Sequence, residues 1–218
     1  MRINQFIASA SGISRRAADR AIADGRVYAN DKIATMGQLV NEVDVIKLDG
    51  LKLALPDKTT TIIMNKPAGF VCSRDGQGSK TIYDLLPVEL HTLKSVGRLD
   101  KDSSGLLLIT NNGQLANRLT HPSFAKRKVY NVFLDRPLED NDRLKIDAGI
   151  TLDDGLSSLE LRKLKDGRSW EISMTEGRNR QIRRTFAKLR YSVLKLKRLS
   201  FGEYSLNDLA EGSYKIIE

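Results

Sequence analysis

Asp100, Asp102, Ser103 and Ser104 crowd into one short stretch, Gly97-Arg98-Leu99-Asp100-Lys101-Asp102-Ser103-Ser104-Gly105. The stretch is polar and glycine-bounded, and it runs directly into Leu106-Leu107-Leu108-Ile109-Thr110, an apolar run of buried-strand length. Loops carried on rigid strands are where catalytic groups are usually presented. The same residues could also form a plain turn in which Asp and Ser bond their own backbone. The residues alone leave both readings open. Other chemistries have less support. His91 and His121 stand far apart and Cys72 is the only cysteine, so no zinc-ligand spacing exists. G-x-S-x-G, G-x-x-x-x-G-K-[ST] and G-x-G-x-x-G are all absent. Neither a metal nor a cofactor is expected.

The elements that must position this loop can be read from pattern. Residues 1–46 form a small helical unit. One helix spans Ile3–Ala10 and is broken by Gly12; a second is capped by Ser14 and carries Ala17, Ala18, Ala21 and Ile22 as its apolar stripe. Gly25 closes it, and Arg26–Ala29 with Asn30-Asp31 reads as a strand and turn. Arg15, Arg16 and Arg20 fall off the stripe and form a basic face with Arg26. A linker over 47–59, marked by Pro56-Asp57-Lys58, leads to a second domain over 60–218. There, strands are expected at Thr60–Met64, Lys94–Val96, Leu106–Thr110, Lys128–Leu134 and Trp170–Met174. Helices are expected at Thr81–Leu86, Gly113–Leu119, Asp140–Asp147 and Arg180–Leu189. Strands and helices intermix without regular βαβ units, so the fold class is α+β with a mixed or antiparallel sheet.

The 218 residues are 40% hydrophobic and 29% charged, as in a soluble globular chain, with no apolar run long enough to span a bilayer. No secretory h-region opens the chain, and a lone cysteine fits a reducing cytoplasm. The net charge of +9 suits a polyanionic partner. The surplus is focused: Arg178, Arg180, Arg183, Arg184, Lys188, Arg190, Lys195, Lys197 and Arg198 face one acid, Glu176, between positions 176 and 198.

Read together, these segments resemble a known family. Gly97–Gly113 resembles the signature loop of the pseudouridine synthases, in detail the branch named for the small-subunit rRNA synthase RsuA with its relatives RluB, RluE and RluF. Asn65-Lys66-Pro67-Ala68-Gly69 resembles the NKPxG segment, and His121-Pro122-Ser123 with Lys128-Val129-Tyr130 the HPS…K-x-Y segment. Glu176–Arg184 resembles GxxxQIRR, and Leu196–Gly202 the closing L-x-R-x-x-x-G. The first 46 residues resemble the alpha-L RNA-binding module, through Gly12–Ala17 and Gly25-Arg26-Val27. The ordered set covers nearly the whole chain.

The resemblance implies a pseudouridine synthase fold, a small amino-terminal RNA-binding domain, and uridine isomerisation in ribosomal RNA, with the 23S molecule favoured. It makes Asp100 the catalytic carboxylate, acting either on ribose C1′ or on the C2′ proton; an Asp, ordinarily of pKa about 3.9, is ionised at neutrality. Arg183 would pair with that carboxylate, and Tyr130 would stack on a flipped-out base. Arg98 would fill the vacated stack. RNA contacts are expected from Lys128, Arg178, Arg180, Arg184 and Arg198, and from Arg15, Arg16, Arg20 and Arg26. Ser103 replaces a commoner threonine, and Arg180 a histidine frequent in relatives. Lys101-Asp102-Ser103 with Asn179-Arg180-Gln181 reads as RluF-like, while residues 105–123 read as RluB-like, so the target stays open. A monomer acting on rRNA is expected; a tRNA or 16S target, or a non-catalytic assembly factor, is the alternative.

Overall fold

The computed structural model describes residues 1–41, 43–56 and 58–217. It forms two compact units, Met1–Thr60 and Thr61–Glu218. In the first, helix α1 (Ile3–Ser11) ends at Gly12 with φ of 77°, the left-handed value that glycine tolerates without cost. Helix α2 (Arg15–Ala23) starts at Ser14, whose hydroxyl accepts the Ala17 amide at 3.1 Å. Four antiparallel strands follow: β1 (Val27–Ala29), β2 (Lys32–Ile33), β3 (Ile46–Leu48) and β4 (Leu51–Lys52), in the order β2-β1-β3-β4. The expected linker over 47–59 is therefore corrected: it contains most of β3 and all of β4, and Leu53 and Leu55 pack on the unit's core. Charged and polar residues mask the alternation of such short strands. Pro56 and Lys58 lie in the described part of the linker; Asp57 lies outside it.

The second unit is built on a nine-stranded sheet. Its strands are β5 (Thr61–Lys66), β6 (Lys94–Val96), β7 (Ser104–Thr110), β8 (Lys128–Leu134), β11 (Glu160–Lys163), β12 (Ser169–Met174), β13 (Val193–Phe201), β14 (Tyr204–Ser205) and β15 (Tyr214–Ile216). A separate hairpin, β9 (Ile150–Leu152) and β10 (Gly155–Ser157), interrupts the series. The main order is β11-β12-β8-β13-β7-β5-β15, with β14 beside β13 and β6 beside β7. Every pairing is antiparallel except β13 with β7, so the sheet is mixed, as expected.

Strand β7 is buried on both faces, which explains its unbroken apolar run. Leu106 and Leu108 pack with Leu115 and Leu119 of α3 (Gly113–Thr120), Val96 and Phe201. Leu107 and Ile109 face the larger core, with Ile146 of α4 (Asp140–Ala148) and Ile182 and Phe186 of α5 (Gln181–Lys188). The helix expected over Thr81–Leu86 is a 3-10 turn, Ile82–Leu85, closed by a Thr81–Asp84 capping box. Helix α5 begins one residue later than expected, because Arg180 is left-handed, with φ of 46° and ψ of 31°.

Candidate active site

The loop between β6 and β7 is fastened from beneath. Lys66 ends β5 with its side chain fully buried, and its ammonium donates to the carbonyls of Pro67 at 2.9 Å, Asp100 at 3.2 Å and Ser103 at 2.7 Å. The Ser103 amide also donates to the Asp100 carbonyl at 3.1 Å, closing the turn. The thiol of Cys72 donates to the Leu99 carbonyl at 3.3 Å, and the Gly69 amide to that of Lys101 at 2.7 Å. Burial lowers the Lys66 ammonium from its ordinary value, opposed by the Cys72, Asp100 and Asp102 groups; burial also pushes the Cys72 thiol up.

Gly105 then sets the loop against the sheet. Its φ is 103°, and a Cβ there would lie 2.2 Å from the Arg198 carbonyl oxygen. Only glycine lets β7 run in parallel this close to β13, where Gly105 and Arg198 are register partners. Arg198 is 2% exposed; its Nε donates to the Leu106 carbonyl at 2.7 Å and its guanidinium lies over the Phe201 ring. On the other side, Arg198 is paired with Tyr130 of β8.

Asp100, Tyr130, Arg98, Lys128, Arg180 and Arg198 line one cleft of about 540 Å³. That volume lies within the range of small-ligand sites, roughly 300–1,000 Å³. Arg98 is exposed on its wall and Tyr130 is buried in it. The Lys128 ammonium donates to the carbonyls of Lys126, Thr175 and Glu176 and sits over Phe201; burial lowers it from its ordinary value.

The arginines divide between the loop's two carboxylates. Arg180, expected at RNA, is the cation that approaches Asp100, at 3.7 Å, and it grips Asp102 with two bonds of 3.0 and 2.9 Å. Arg183, expected to pair with Asp100, instead meets the Asp102 carboxylate at 3.3 Å and donates to the Asp102 and Val193 carbonyls at 2.9 and 2.6 Å. The reason is geometric: the left-handed turn at Arg180 aims that side chain at the loop, while Arg183, three residues further along, reaches its base. Arg180 holds the Asp102 carboxyl below its usual range, while burial lowers Arg183 despite its acidic neighbour. Asp102 is thus committed to two arginines.

Arg178 and Arg184, also expected at RNA, are engaged within the chain by Asp154 and neighbouring carbonyls. In the first unit, Arg15, Arg16 and Arg20 are exposed on α2, with Arg15 reaching Asn4 at 3.4 Å, but Arg26 is forked by Asp49. Lys66 is the residue that sequence reasoning missed. Its signal was a lysine ending a run of strand residues just before Pro67.

Comparison with known proteins decides the class. The model of the family described as RNA pseudouridylate synthase matches residues 60–188, and the S4 domain model matches residues 1–46. The chain belongs to the RNA pseudouridylate synthase family. It is 34% identical to a ribosomal large subunit pseudouridine synthase B of Bacillus subtilis, over 97% of this chain and 89% of that one. It is also 34% identical to an RNA pseudouridine synthase of Aquifex aeolicus, over 99% of this chain and 89% of the relative. A solved pseudouridylate synthase superposes with a TM-score of 0.73 at 32% identity, covering 100% of this chain and 96% of that structure. The chain is accordingly an isomerase with the pseudouridine synthase fold and an amino-terminal S4 domain. Among the described residues, no helix is long and apolar enough to cross a membrane.

Proposed function

We propose that this synthase isomerises uridine in ribosomal RNA of the large subunit, with Asp100 as the catalytic carboxylate. The observation that carries the reading is the Asp100 loop itself. It is pinned by a buried lysine, approached by Arg180, and set in a nucleotide-sized cleft whose wall includes Tyr130. The Bacillus subtilis relative named for the large ribosomal subunit supports the choice of RNA.

The reaction needs no redox partner. The N1–C1′ bond breaks, the uracil turns, and a C5–C1′ bond forms; the C5 proton leaves and N1 gains one. Asp100 serves as nucleophile at C1′ or as base at C2′, and either role requires an ionised carboxylate. Arg180 stands 3.7 Å from that carboxylate, held there by Asp102. Tyr130 stacks on the extruded base, and Arg98, exposed on the wall, enters the gap left in the RNA. Arg15, Arg16 and Arg20 contact phosphates from the S4 domain. The buried, unpaired Cys72 thiol suits a reducing cytoplasm, where the chain acts as a monomer.

The test offers the purified protein unmodified 23S, 16S and tRNA transcripts and maps pseudouridine by carbodiimide primer extension. A stop confined to 23S supports the proposal. A stop in 16S or tRNA alone overturns the target, and no stop in any overturns the activity.

A further inference from the structure

Four arginines between 178 and 184 point in two directions. Arg180 and Arg183 turn to the Asp100–Ser103 loop; Arg178 and Arg184 turn away, to the β9–β10 hairpin. Both meet one carboxylate there. Asp154 accepts Arg178 Nη1 at 2.8 Å on Oδ1, Arg184 Nη1 at 3.0 Å on Oδ1, and Arg184 Nη2 at 2.6 Å on Oδ2. Arg178 further donates to the carbonyls of Asp154, Gly155 and Leu156 at 2.8, 3.1 and 2.8 Å, so its guanidinium plugs the hairpin turn. Arg184 Nε also donates to the Asn179 carbonyl at 2.8 Å.

Asp154 therefore grips the chain on both sides of Arg180. Between these anchors Arg180 holds a left-handed conformation that a long side chain rarely adopts and that surrounding contacts must impose. Beneath it a buried polar set ties the same parts. Gln181 accepts the Arg178 amide at 3.1 Å and donates to Ser157 Oγ at 3.1 Å, and Ser157 meets Thr185 at 2.8 Å.

We propose that Asp154 is a positioning residue for the isomerisation, clasping Arg178 and Arg184 so that Arg180 is held against Asp102 and Asp100. Arg178 and Arg184 are thereby parts of the scaffold and not phosphate contacts. The proposal rests on the functional reading above. It places the hairpin, far in sequence from the signature loop, in control of the loop's cation.

The experiment compares the full chain with D154A, D154N, D154E, R178A and R184A, using a 23S transcript tritiated at uridine C5. Three quantities are read: the single-turnover rate at saturating RNA, the slope of binding against salt, and amide exchange. D154A is expected to lose about tenfold or more in rate, because displacing a positioned group by an ångström costs up to about a hundredfold. D154E should recover part of the rate. Exchange at residues 179–182 should quicken at least about tenfold in D154A while β8 and β12 stay protected. R178A and R184A should lose rate with an unchanged salt slope, whereas lost phosphate contacts would flatten it by roughly 0.7–0.9 each. A D154A rate and exchange equal to wild type overturn the proposal, as does a flattened slope in either arginine variant. D154N stands in if D154A does not fold, with the same criteria. An inactive wild type refutes the functional reading, and the exchange data then decide the clasp alone.

Discussion

Replacing Gly105 by alanine confronts two costs at once. The backbone there has φ of 103°, and the added Cβ would lie 2.2, 2.6 and 2.9 Å from the carbonyl oxygen, amide nitrogen and carbonyl carbon of Arg198. These are backbone atoms, so no rotamer change relieves them; β7 must separate from β13 where Lys197 pairs with Ser104 and Arg198 with Gly105. Backbone strain of this kind costs about 1–3 kcal/mol, and overpacking a fitted interior about 1–3 kcal/mol more. For a unit of this size each kcal/mol lowers Tm by roughly 2–4 °C, so G105A should melt about 5–20 °C below wild type. Gly113 is the internal control. It opens α3, has ordinary φ, and a Cβ there meets nothing within 4 Å. G113A should match wild type or gain up to about 1 kcal/mol. Calorimetry of both variants is the assay. A G105A midpoint within about 2 °C of wild type would refute the close-approach argument.

Other sites give independent outcomes. K66M removes the donor shared by the Pro67, Asp100 and Ser103 carbonyls, so single-turnover rate should fall about tenfold or more with little change in RNA affinity; rapid-quench and filter-binding assays separate the two. Arg180 holds the Asp102 carboxyl below its usual range, so the stability it confers is present above the unfolded pKa and is lost as pH falls through the lower folded one. Acid unfolding followed by circular dichroism should thus be shallower in D102N than in wild type; equal slopes would contradict the pairing. S14A removes the acceptor of the Ala17 amide and should cost the first unit about 0.5–2 kcal/mol in urea titration.

Much of the site was legible because its chemistry is local. Asp100 sits in a Gly-bounded loop feeding a strand buried on both faces, and both features are written in consecutive residues. Strands β5, β7, β8 and β12 were legible for the same reason. The partners of Asp100 were not. Resemblance selected Arg183, but the choice between it and Arg180 turns on a left-handed residue at the α5 N-terminus, and propensity does not reveal that conformation at an arginine. The basic stretch likewise read as an RNA-facing surface. Its acids lie elsewhere in the chain, in Asp102 and in Asp154 of a hairpin whose short strands show little alternation. The nine-residue β13 was read as charge and as the closing motif but not as a strand, since Lys195 and Lys197 alternate with buried Leu196 and Arg198. Lys66 was quoted in a motif without a role, because total burial of a lysine is a tertiary outcome.

The central claim is that the Asp100 carboxylate performs the isomerisation. Tritium release from 23S transcript labelled at uridine C5, followed under single-turnover conditions for wild type and D100N, tests it most directly. The account predicts release by wild type and none above background by D100N, with RNA binding retained. Release by D100N at the wild-type rate would contradict it.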